Sequence, residues 1–124
     1  MQKLLTYEDV KAVVESKLKG QLPRTHLIDV RGQDEVQSTG IIPGALNLPL
    51  DQLEAALKSE PGQFKEKYAV PKPPQEDTLI MYCLMGKRAE KGEKVARECG
   101  YADTAVYPGS WTEWSERAKE QKAS

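Results

Sequence analysis

A chain of 124 residues, 39% hydrophobic and 30% charged, has the size and composition of one globular domain, expected to span 1–124. Its 18 Lys and Arg nearly cancel its 19 Asp and Glu, and no run of like charge is long, which argues against a nucleic-acid or anionic-lipid surface. Electrostatic chemistry must therefore be local.

The first nine residues turn acidic at Glu8-Asp9 and build neither the apolar core of a signal peptide nor an Arg-rich transit helix, and no stretch is long and apolar enough to span a membrane. Only Cys83 and Cys99 are present, and a helical segment between them would hold them too far apart for a disulfide. A reducing, cytoplasmic compartment is expected.

Val10, Val13, Val14 and Leu18 recur at helical spacing, with Thr6 and Asp9 as a capping box, and predict a helix over 7–18. The apolar run His26-Leu27-Ile28-Asp29-Val30 reads as a buried strand. A helical turn over 33–38 and a Gly- and Pro-punctuated connection over 40–45 follow, then a short strand at Leu46-Asn47-Leu48. Leu50, Leu53 and Leu57 predict a helix over 51–58, with Asp51 favouring its N-terminal dipole, and a second short helix is expected over 61–68. Pro71, Pro73 and Pro74 make 70–77 an exposed connection. Thr78 to Tyr82 is the clearest strand, and 88–98 is a helix ended by Gly100. A strand over 104–107 and a closing helix over 111–120, with Ser110 as its N-cap, complete the chain. Strands alternating with helices predict an α/β sandwich, three layers deep, with a mostly parallel central sheet.

The segment Cys83-Leu84-Met85-Gly86-Lys87-Arg88 joins the C-terminal end of the best strand to a helix N-terminus, where open α/β sheets bind ligands. Backbone N–H groups of a tight loop, the helix dipole, Lys87 and Arg88 together favour a thiolate at Cys83, and the thiolate is the nucleophile. Gly86 lets the backbone approach the sulfur closely. A merely packed cysteine requires neither the glycine nor the two cations. Cys99, before Gly100 and without a basic loop, reads as packed and inert.

Together these residues resemble the rhodanese family over nearly the whole chain. Asp29-Val30-Arg31 resembles its D-x-R, Gly40 to Ala45 its G-x-I-P-G-A followed by Asn47, and Cys83-x-x-Gly86-x-Arg88 its active-site loop. Val106-Tyr107-Pro108-Gly109-Ser110 with Trp114 resembles V-x-x-L-x-G-G and a downstream tryptophan, with Ser110 in place of the second glycine. Within the family the loop and length are most like the thiosulfate:glutathione sulfurtransferases. The resemblance implies a rhodanese-like fold and a sulfurtransferase without metal or organic cofactor. By it, Cys83 takes the outer sulfur of thiosulfate or a related donor as a persulfide and passes it to an acceptor such as glutathione, thioredoxin or cyanide. Leu84, Met85, Gly86, Lys87 and Arg88 would bind substrate, the amides steadying the anionic persulfide and the two cations drawing the donor's sulfonate. Leu84 and Met85 form an apolar rim for the acceptor or pack against the body of the protein.

Asp29 and Arg31 have two readings, lining the site or pinning the strand end by a charge pair. His26 lies at the wrong end of its strand for a general base. Trp111 and Trp114 share a helix face and read as core. Two rival functions remain. A cysteine phosphatase or arsenate reductase also sets Cys and Arg around an anion, but the related cell-cycle phosphatases have one more residue between them than C-x4-R. A non-catalytic binding module often lacks the cysteine that this chain keeps.

Overall fold

The structure, a computed structural model, describes residues 3–123. Five strands, β1 (Lys3–Leu4), β2 (Thr25–Asp29), β3 (Leu46–Asn47), β4 (Thr78–Tyr82) and β5 (Asp103–Val106), form one sheet in the order β1-β5-β4-β2-β3. Every pairing is parallel, so the C-terminal ends of β2, β4 and β5 emerge on one edge. Six helices surround it: α1 (Tyr7–Leu18), α2 (Gln33–Thr39), α3 (Leu50–Lys58), α4 (Pro61–Tyr68), α5 (Lys87–Glu98) and α6 (Ser110–Ala123).

Alternation along β4 divides the interior into two cores. Leu79 and Met81 join Ile28, Leu53, Leu57 and Phe64 on the side covered by α3, α4 and α5. Ile80 and Tyr82 join Tyr7, Val10, Val14 and Leu27 on the side covered by α1 and α6. This is the three-layer α/β sandwich with a parallel central sheet that was expected, and β4, covered on both faces, reads as a continuous apolar run because both kinds of neighbour are apolar. At Gly92 a Cβ would lie 3.2 Å from Val30 and 3.4 Å from Leu53, so the missing side chain lets α5 sit close to the sheet and α3.

The elements match the expected order with small shifts at their ends. Thr6 and Asp9 form the anticipated capping box: the Asp9 amide donates to Thr6 Oγ1 at 3.2 Å and the Thr6 amide to Asp9 Oδ2 at 2.9 Å. Leu18, counted into the apolar stripe of α1, is instead 70% exposed, as the last residue of the helix before the C-cap Lys19. β1 was not anticipated. It is two exposed residues paired with Ala105 and Val106, too short to show a period. The connection over 70–77 is not wholly exposed either: Pro73 and Asp77 are buried, with the Pro73 carbonyl taking a hydrogen bond from Tyr101 and Asp77 holding Arg24 and His26. Among the described residues no helix is long and apolar enough to cross a membrane.

Candidate active site

β4 ends at Tyr82, and the chain turns through Cys83 to Gly86 before α5 begins at Lys87. Gly86 takes φ +107°, and a Cβ there would sit 2.9 Å from the carbonyl oxygen of Pro108, so glycine is required by both conformation and space. That conformation aims the Gly86 amide inward, where it donates to Cys83 Sγ at 3.0 Å. The amides of the first turn of α5 have no carbonyl of their own helix to bind, which adds positive potential at the same place.

The loop carbonyls point the other way, into α6. The Trp111 amide donates to the Cys83 carbonyl at 2.9 Å and the Thr112 amide to the Leu84 carbonyl at 3.1 Å, while Thr112 Oγ1 reaches the Leu84 carbonyl at 2.9 Å. Ser110 completes the brace. Its hydroxyl accepts from the Cys83 amide at 3.1 Å, donates to the Tyr107 carbonyl at 2.8 Å and lies 4.0 Å from Cys83 Sγ. The expected N-cap role of Ser110 is thus corrected: it is the first residue of α6, fully buried with φ +54°, and its hydroxyl serves the neighbouring loop rather than its own helix.

Cys83, Leu84, Met85, Lys87 and Arg88 line one cavity of about 360 Å³. Met85 is 74% exposed and Leu84 37%, so they form its rim instead of packing into the body. Arg88 is not the free cation expected from the sequence. Its two Nη atoms donate to Glu35 at 2.6 and 3.0 Å, and Glu35 also accepts from the Gly32 amide at 3.2 Å. The guanidinium pulls the Glu35 carboxyl down to about 2, and the same pairing raises Arg88 above its ordinary value, with a charged Cys83 contributing less. Lys87 therefore carries the unopposed charge at the mouth, since among the described residues it has no ion-pair partner.

Asp29 and Arg31 stand apart from this cavity, as a buried brace. Both are fully buried; Arg31 donates to Asp29 at 2.7 and 3.1 Å, to Thr39 Oγ1 at 2.8 Å and to the Gly40 carbonyl at 2.9 Å, with the Trp111 ring 4.9 Å from its Cζ. Asn47 ties the carbonyls of Asp29 and Arg31 together at 2.9 and 2.8 Å. Tyr82 accepts the Ile42 amide at 3.1 Å. These bonds dock the 40–45 connection on the sheet, a charge pair pinning the strand end. His26 pairs with Asp77 at 2.8 Å at the opposite end of the sheet, and Trp114 packs on Tyr7 with ring centroids 5.4 Å apart. Cys99 is half-buried at the end of α5, far along the helix from Cys83; both thiols are free.

The sequence profile described as "Rhodanese-like domain" matches residues 11–117. The chain belongs to the rhodanese family. A rhodanese domain-containing protein of Drosophila melanogaster, CG4456, is 40% identical over 114 residues, covering 92% of this chain and 97% of that one. Human thiosulfate:glutathione sulfurtransferase is 43% identical over 95 residues, 76% of this chain and 82% of its own. Among solved structures, the human single-domain sulfurtransferase TSTD1 superposes with a TM-score of 0.83 at 36% identity, over 94% of this chain and 98% of that one.

Within this rhodanese domain, Glu35, Ser110 and Thr112 act on the loop and were not foreseen as doing so. Glu35 is 53 residues from Arg88 in the chain, and only the fold brings α2 beside α5. The sequence signals Ser110 only as a departure from the family's second glycine, and its hydroxyl braces the loop instead of capping its helix.

Proposed function

We propose that this chain, acting as one domain, is a thiosulfate sulfurtransferase that moves sulfane sulfur to a thiol through a persulfide on Cys83. The observation that carries the reading is the Gly86 N–H held 3.0 Å from Cys83 Sγ at the floor of an open cavity with a cationic wall. Kinship with enzymes named thiosulfate:glutathione sulfurtransferase supports it.

The Cys83 thiolate attacks the outer sulfur of thiosulfate; the S–S bond to the sulfonate breaks, and sulfite leaves with the electron pair. Cys83 then carries one additional sulfur. An acceptor thiol, having lost its proton to solvent, attacks that terminal sulfur; the new acceptor S–S bond forms as the Cys83 thiolate departs. Negative charge stays on sulfur beside Cys83 throughout, where the inward amide and the start of α5 stabilise it without reorganising. Lys87 is placed to meet the donor's sulfonate, and the Leu84–Met85 rim to meet an acceptor such as glutathione.

A phosphatase reading fits less well, because the ring from Cys83 to Arg88 is only C-x4-R, short for a tetrahedral phosphoryl group, and the Glu35 carboxylate paired with Arg88 offsets the guanidinium's charge toward a dianion. Intact-protein mass spectrometry after incubation with thiosulfate tests the reading. A gain of about 32 Da, one sulfur, that glutathione removes and that Cys83→Ser never shows is expected. An aryl phosphatase activity lost in Cys83→Ser would favour the rival instead.

A further inference from the structure

The cavity around Cys83 has a neighbour that the transfer chemistry above leaves unused. A groove of about 380 Å³ has an apolar floor of Val30, Pro49 and Leu50 and carries Glu35, Asp51 and Arg88 on its walls. Arg88 lines both spaces, so they adjoin through one side chain. Their charges oppose each other. The Cys83 cavity has Lys87 and Arg88 and no carboxylate, whereas the groove sets two carboxylates against one cation.

Within the groove the two acids differ. Glu35 is engaged by Arg88 and by the Gly32 amide, but the Asp51 carboxylate, in the first turn of α3, has no hydrogen bond or ion pair among the described residues. A small dianion such as thiosulfate is drawn to the first space and repelled from the second. An occupant of the groove that also reaches Cys83 needs a thiol at one end and a cation at the other.

We propose that this groove is the acceptor subsite, and that it selects thiols carrying a free α-ammonium group, as the γ-glutamyl end of glutathione does. The proposal rests on the sulfur-transfer reading. Asp51 accepts the ammonium N–H groups, the floor covers the intervening methylenes, and Arg88 offers one of the N–H groups not bonded to Glu35 to the α-carboxylate beside that ammonium. Donor and acceptor are then sorted by charge into adjoining spaces, with the persulfide between them. Glu35 holds the shared guanidinium at the junction.

The test compares glutathione with glutaryl-cysteinyl-glycine, which keeps both carboxylates and the thiol but lacks the ammonium. Thiosulfate is the donor, and persulfide on the loaded protein is read by intact mass before either acceptor is added. The parent is expected to favour glutathione in kcat/KM by roughly three- to fivefold, the scale of a partly exposed ion pair. Asp51→Asn should erase that preference and Asp51→Lys reverse it. Equal kcat/KM for the two acceptors in the parent overturns the subsite, whatever the variants do. So does a preference that survives in Asp51→Asn. If thiosulfate adds no sulfur to the parent, the transfer reading itself fails and the subsite with it, whereas a loaded protein discharged equally by both acceptors defeats the subsite alone.

Discussion

Cys83 sits in a backbone cradle with an amide on its sulfur, while Cys99 sits at the end of α5, where burial pushes its thiol above the ordinary value. Their substitutions are therefore expected to diverge. Cys83→Ser should abolish sulfite release from thiosulfate with the fold intact by circular dichroism, and Cys99→Ser should leave turnover within about twofold, since a partly exposed surface-side change typically costs under about 0.5 kcal/mol. Glu35 gives a second prediction at this scale. Glu35→Gln frees the Arg88 guanidinium toward the Cys83 cavity, so KM for thiosulfate should fall while KM for the acceptor does not. If the pair served only to shape the loop, kcat and melting temperature would drop and the donor KM would not improve. The acid stability carries the same signature. Glu35 is held at about 2 in the fold against 4.5 ordinarily, so between those values the unfolded chain binds a proton that the folded one refuses. Stability from this pair is present above about pH 4.5 and is lost as pH falls toward 2. Urea titrations of Glu35→Gln should show a shallower acid slope in that window.

The loop after β4 is built by two elements, α5, which follows it directly, and α6, whose first amides bond its carbonyls. Ser110 is the joint between them. Ser110→Ala leaves the buried Cys83 amide without an acceptor and should cost about 1–3 kcal/mol in chemical denaturation, with lower activity. Ser110→Gly loses the same bond but relieves a φ of +54°, so it should cost less; an equal cost would mean that backbone strain plays no part there. The elements also mark what sequence could and could not reveal. Thr78 to Tyr82 was found to the residue because a strand buried on both faces is an unbroken apolar run, and the Cys83 loop because its chemistry is contiguous. Leu18 fits the helical spacing yet is exposed, because period alone cannot say whether the last turn of a helix still meets the core. β1 had no period to read, and the Arg88–Glu35 pair, Ser110 and the Asp51 groove depend on contacts that only the folded topology creates.

For the whole molecule, a net charge of −1 offers no long-range pull on an anionic donor, so attraction must come from the mouth of the cavity. Raising ionic strength from about 0.01 to 0.15 M, which shortens the screening length from about 30 to 8 Å, should lower kcat/KM for thiosulfate only modestly, and Lys87→Ala should remove most of that salt dependence. A steep dependence that Lys87→Ala leaves untouched would place the attraction elsewhere. The Asp29–Arg31 brace is the corresponding lever on the fold. Arg31→Ala strands a fully buried carboxylate and should destabilise by about 3–5 kcal/mol, read as a shift in the denaturation midpoint.

Both tryptophans of the chain lie on α6, whose first amides are bonded to the carbonyls of the very loop that holds the reactive sulfur. The Trp111 indole also lies over the Arg31 guanidinium, a neighbour to which its excited state is sensitive. The molecule thus contains its own fluorophore, mechanically coupled to the sulfur-accepting loop. Its emission is expected to change on sulfur loading and to return on discharge, without dye or label, which stopped-flow mixing with thiosulfate and then an acceptor checks.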